Sequence, residues 1–96
     1  MNPPPCALGQ DKVVMWSAID HRHRHERSCQ HVVDGELQGT AAGLAICKSE
    51  QEGAYYLFGC DEVWNTLTDT WHETLTGAIL QAEFEYAGLS ETWNVV

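Results

Sequence analysis

Basic residues are scarce in this 96-residue chain: five Lys and Arg stand against fourteen Asp and Glu, for a formal net charge of -9. Beyond residue 31, Lys48 is the single basic residue among eleven acids. Such a surface repels a phosphate backbone and argues against nucleic acid as a partner. It steers a basic protein toward itself instead. Long apolar runs are missing too. None approaches the ~20 residues needed to span a bilayer, which argues against a membrane partner. The start, Met1-Asn2-Pro3-Pro4-Pro5, has neither the basic nor the apolar region of a signal peptide, so the expected location is the cytoplasm. No Cys-x-x-Cys pair occurs, which removes support for a zinc knuckle or ribbon. Cys6, Cys29, Cys47 and Cys60 are far apart and read as free thiols in a reducing compartment. Cys47 and Cys60 each close an apolar run and read as small buried hydrophobes. No Gly-x-Ser-x-Gly elbow and no phosphate-cradling glycine loop appears. Carboxylate neighbours such as Asp61 and Glu62 lack the cleft that paired-acid chemistry requires. The residues present argue against an enzyme.

What is present describes architecture. Residues 1–10 carry all three prolines and no periodicity, and are expected to form a disordered arm ahead of one domain over residues 11–96. Val13–Ile19 is a short run of β-formers and predicts a first strand. Asp34-Gly35, between Val32-Val33 and Glu36-Leu37, is a strong hairpin signal, because Asp and Gly tolerate the positive φ of a type I′ turn. Ala45–Lys48 reads as the end of a strand and Ala54–Cys60 as an aromatic strand bounded by turns. Thr66–Asp69 follows as a short strand, which suggests an antiparallel meander. Thr70 and Glu73 have capping-box spacing, predicting a helix over about 71–87 that Gly88 closes with a hydrophobic contact from Leu89. Leu75, Ala78, Ile79, Ala82 and Tyr86 share one side of that helix. The expected fold is therefore an α+β two-layer sandwich: a meander of about four antiparallel strands with one C-terminal helix packed on one face.

Leu80 and Phe84 break the helical pattern by lying opposite the buried stripe. Two large apolar groups there need a second contact: the chain's own tail (Leu89, Trp93, Val95, Val96), a second copy, or a partner. Four tryptophans, Trp16, Trp64, Trp71 and Trp93, are many for this length. Each is either core packing or an interface anchor. Trp64, in a turn beside Asp61 and Glu62, is the expected exposed anchor.

His21, Arg22, His23, Arg24 and His25 alternate imidazole and guanidinium, and Cys29 and His31 continue the odd-numbered positions. On an extended strand these odd positions share a face. Imidazoles at i and i+2 can both reach one zinc at about 2.0–2.1 Å. His21, His23, His25, Cys29 and His31 are thus candidate zinc ligands. Arg22, Arg24 and Arg27 oppose a cation there. The tract reads more readily as an exposed strand, partly protonated near pH 6, and otherwise as an arginine contact to an acidic partner or to the chain's own acidic half.

The strings Tyr56-Leu57-Phe58-Gly59-Cys60-Asp61, Trp64, Thr68–Thr74, Gln81–Tyr86, Gly88 and Thr92-Trp93 resemble a family of small uncharacterised bacterial proteins, which implies no established activity. More loosely, strand–turn–strand–Asp-Thr–helix is similar to the fold of HicB-type antitoxins, which implies a partner-blocking role. The expected function is a non-catalytic, acidic protein–protein interaction module, antitoxin-like or immunity-like, acting through Leu80, Phe84, Glu83, Glu85 and Trp64 without a cofactor. Its expected partner is a basic protein or a second copy. The alternative is a metal-binding protein that uses the His21/His23/His25 strand.

Overall fold

The computed structural model describes residues 1–19 and 41–96 in full, together with the backbone of residues 24–25, 32–33 and 36–37. In chain order the strands are β1 (Ala7–Leu8), β2 (Asp11–Ala18), β3 (Arg24–His25), β4 (Val32–Val33), β5 (Glu36–Leu37), β6 (Gly43–Ser49), β7 (Ala54–Cys60) and β8 (Thr66–His72). The helix α1 (Leu75–Glu85) follows, then β9 (Tyr86–Ala87), a single 3-10 turn at Leu89–Glu91, and β10 (Asn94–Val95).

Strands β2, β6, β7 and β8 are neighbours in one antiparallel sheet, with β1 and β10 both added along the free side of β2. The meander is as expected, and among the described residues the sheet has six strands rather than about four. The two extra strands are pairs of residues, too short to show the alternation by which sequence reveals a strand. Val32 pairs with Leu37 and Val33 with Glu36, the register of the expected hairpin. Its turn, Asp34-Gly35, lies outside the described residues.

Residues 1–10, expected as a loose arm, carry β1. Leu8 is buried, the Val13 amide donates to the Cys6 carbonyl at 3.0 Å, and the Trp64 indole N–H donates to the Asn2 carbonyl at 2.8 Å. Proline removes donors only at positions 3–5, so the chain regains pairing once past them.

The register sorts side chains onto two faces. Met15, Leu44, Ile46 and Leu57 point to the helix side and pack with Ala78, Ala82, Tyr86 and Leu89. Ala78 and Ala82 are small and fully buried, which lets α1 lie close to the strands. Leu75 and Ile79 fill the flanks, so the stripe read from the sequence is the one that packs. Val13, Ala45, Cys47 and Cys60 form a second cluster on the opposite face, capped by Leu8 and Trp64. The inner end of that face is covered by the chain's own N-terminal strand and turn tryptophan.

Both helix ends differ from expectation for one reason: strand pairing takes the flanking residues. Thr70, Trp71 and His72 pair with Leu57, Tyr56 and Tyr55, which extends β8 through the expected helix start. Thr74 then serves as N-cap, its hydroxyl accepting the Gly77 amide at 3.0 Å, a contact worth about 1 kcal/mol. At the other end Tyr86 and Ala87 pair with His25 and Arg24, so the helix stops at Glu85. Gly88 does adopt the left-handed conformation (φ 92°), opening the 3-10 turn instead of closing the helix. The Tyr86 hydroxyl accepts the Ala41 amide at 3.0 Å and so pins the approach to β6.

Gly43 shows how tightly the second face is lidded. A Cβ there would fall 2.7 Å from Cη2 of Trp64. Gly43→Ala is expected to lower the unfolding free energy in urea by about 1–3 kcal/mol through overpacking. The same change should cost clearly less in a Trp64→Phe background, because the outer indole ring is gone. Equal cost in both backgrounds would show that the indole is not what forbids the methyl.

Candidate binding surfaces

The outer end of the second sheet face is open and aromatic. Tyr56 and Phe58, two apart on β7, stack with ring centres 5.7 Å apart and planes at 13°. On β8, Trp71 stands directly opposite Tyr56, and Asp69 directly opposite Phe58. Trp71 is 53% exposed. The Glu52 carboxylate accepts from the Tyr56 hydroxyl at 3.0 Å and from the Trp71 indole N–H at 3.2 Å, which fixes both ring edges. That same hydrogen bond raises the Tyr56 phenol above its ordinary value, assisted by burial and by the charges of Glu52, Asp11 and Asp69. Sequence reasoning placed Trp71 in the helix and missed this surface. The available signal was its position two residues after Asp69, which continues the alternation of the preceding strand.

The Asp61 carboxylate accepts the Asn65 and Val63 amides at 2.9 and 3.0 Å, and the Asn65 side-chain amide at 3.0 Å. Those bonds, led by the one from the Asn65 amide, hold Asp61 below the usual carboxylate range. They also fold the β7–β8 turn so that Trp64 takes a left-handed backbone (φ 66°) and turns inward. Trp64, expected as an exposed anchor, is only 7% exposed, and meets Trp16 edge-on with ring centres 5.8 Å apart.

On the outer side of α1, Leu80 and Phe84 are 65% and 53% exposed, in line with the pattern read from the sequence. The tail does not run along the helix as a cover. Asn94 and Val95 pair with Trp16 and Met15 of β2, and Val95 and Val96 remain exposed. Open backbone donors and acceptors beside β1 make that edge the better site for an extended tail. The helix acids expected to take part in partner binding, Glu83 and Glu85, are turned to internal use. Glu83 accepts the Gly88 and Leu89 amides at 2.9 and 3.1 Å, capping the 3-10 turn. Glu85 is 4% exposed and accepts from the Gln81 side-chain amide at 2.9 Å. An acid so enclosed is not an exposed rim charge.

Among the described residues, Cys47 and Cys60 are the buried thiols. Burial pushes the Cys47 and Cys60 thiols up to about 12, so both stay protonated and unreactive. Among the described residues no group of three His, Cys, Asp or Glu side chains is placed to hold a metal ion. The zinc candidates His21, His23, Cys29 and His31 lie outside the described residues, as does the side chain of His25. No helix among the described residues is long and apolar enough to cross a membrane. A groove of about 370 Å³ opens beside Asp11, Lys12, Ser49 and Glu50. His72 lies on the helix side of β8, its Nε2 2.7 Å from the Thr70 hydroxyl. Burial holds its imidazole below the ordinary histidine value, against the opposing charge of Glu85.

Two outcomes follow from these environments. In native protein treated with iodoacetamide, peptide mapping should find Cys6 modified, and Cys47 and Cys60 modified only after denaturation. Native labelling of either buried thiol would show that the second cluster opens. For His72, the unfolded chain binds the proton more readily than the fold does. Stability should therefore decline as pH falls from about 6.5 toward the lower folded value. Urea midpoints against pH should show a shallower decline in His72→Gln, and identical profiles would remove His72 as the cause.

No family model, curated protein or solved structure matches this chain.

Proposed function

We propose that this chain is a non-catalytic module that binds another protein through the outer face of α1, with its excess negative charge favouring a basic partner. The observation that carries the reading is the exposed pair Leu80 and Phe84, one turn apart on a helix whose opposite side is already buried. Apolar groups so placed gain by burial at about 25 cal/mol per Å² removed from water. The acids of the helix contribute less than their number suggests, since Glu83 and Glu85 are engaged within the fold. Charge for steering comes from the whole molecule, at -9. Blocking a partner's working surface, as an antitoxin-like or immunity-like protein does, is the form of binding this composition suits, and the resemblance drawn from the sequence supports it. A bacterial, cytoplasmic setting belongs to the same proposal.

The test compares wild type with Leu80→Asp and Phe84→Asp in affinity capture from native lysate. A protein retained in near-stoichiometric amount by wild type, and reduced at least tenfold by Leu80→Asp with an unchanged far-UV spectrum, is the expected result. Equal retention by wild type and both variants would remove this face as the binding surface. Light scattering on the same proteins identifies the other occupant. A wild-type dimer that Leu80→Asp dissociates would replace the foreign partner with a second copy.

A further inference from the structure

The sheet face opposite α1 carries a surface of different chemistry. Trp71, Tyr56 and Phe58 form a continuous aromatic strip across β8 and β7, with two of the three rings stacked. Three carboxylates border it. Asp69 pairs across from Phe58, Glu52 holds the Tyr56 hydroxyl and the Trp71 indole, and Asp11 shares the face of Val13 two residues on. Asp69 and Glu52 are exposed. The two lysines whose side chains are described, Lys12 and Lys48, are register partners and occupy the opposite set of positions, in line with Tyr55 and His72. Among the described residues this aromatic strip therefore has acids along its border and no lysine on its face.

We propose that this face docks an extended basic segment of a partner protein, whose lysine or arginine side chains lie across the Trp71, Tyr56 and Phe58 rings and reach Glu52, Asp69 and Asp11. This keeps the basic-partner reading above and assigns it a second, separate surface. The match is one of shape and charge together. The apolar stem of Lys or Arg covers aromatic carbon while its head stays at the polar border. A cation over an aromatic face is held by the ring quadrupole at about 0.5–2 kcal/mol, and the carboxylates add charge-assisted hydrogen bonds. Tyr56 and Phe58 stand two residues apart, the same repeat at which an extended segment presents side chains on one side. Neutral and acidic segments meet the same rings but gain nothing from the border.

The probe is an acetylated, amidated hexapeptide of alternating arginine and serine, titrated into 15N-labelled full-length protein at 0.15 M salt or below, with an arginine-to-glutamate version as control. The expected result is saturable shifts confined to the Trp71 indole N–H and the amides of Tyr56, Phe58 and Asp69. Affinity should fall about tenfold in Trp71→Ala and in Glu52→Gln/Asp69→Asn, each the loss of one such contact set. Leu80→Asp should bind the peptide as wild type does, within about twofold. Shifts spread over the whole acidic surface, no saturable binding, or equal affinity in Trp71→Ala with a native far-UV spectrum would each overturn the proposal. So would peptide-free self-association abolished by Trp71→Ala, which would make the occupant a second copy. Loss of binding at this face with capture through Leu80 intact sinks this inference and leaves the earlier reading standing. The reverse pattern does the opposite.

Discussion

The register of β7 between β6 and β8 is the constraint on which the rest of the molecule depends. Leu57 sits between Ile46 and Thr70 on the helix side, and Phe58 between Ala45 and Asp69 on the other. A slip of one residue would send Leu57 into the aromatic strip and Phe58 under α1. Both packing and surface chemistry would be lost in one move. The register is held from both directions: apolar burial on the helix face, and the Trp64 lid against Gly43 and Cys60 on the other. Burial of Leu57 under α1 and of Cys60 under the Trp64 lid each oppose such a slip.

The sequence was most legible where a long periodic signal met a single solution. Ala54–Cys60 and the stripe Leu75, Ala78, Ile79, Ala82 and Tyr86 fall where their patterns place them. The helix start was misread because Thr70 has glutamate at the capping-box spacing, and Thr74, which caps the helix, does not. β8 had a full row of partners on β7 to satisfy, and tertiary pairing prevailed over the local signal. Trp64 was misread for a related reason. A turn tryptophan beside two acids looks exposed until the Asp61 carboxylate gathers the loop amides and turns the indole inward. No sequence rule shows that Gly43, twenty-one residues away, vacates the space it fills. The short strands β1 and β10 carry no pattern of their own and exist because β2 offers them an unpaired edge.

The two open surfaces differ in what they ask of an occupant. Leu80 and Phe84 are aliphatic and aromatic groups on a helix whose acids are spent on internal amides, so that face gains chiefly from excluding water. Such a contact is tolerant in direction and tightens with area. In the Trp71–Tyr56–Phe58 strip the Trp71 and Tyr56 ring edges are already fixed by Glu52, so little of their rotamer freedom remains to be lost when something lies on them.

Asp69, Glu52 and Asp11 place carboxylates of one sign along the border of the strip. A cation entering there meets their attraction. Exposed carboxylates lose little hydration in the process, so the large desolvation penalty of a buried ion pair does not arise. The gain from charge alone is accordingly modest and falls with salt, over a screening length near 8 Å at physiological ionic strength. Selectivity has to come from the rings. An ammonium or guanidinium free in solution meets the carboxylates but leaves the aromatic carbon wet. One carried on a polymethylene stem satisfies both at once, and this favours a protein side chain over a simple cation.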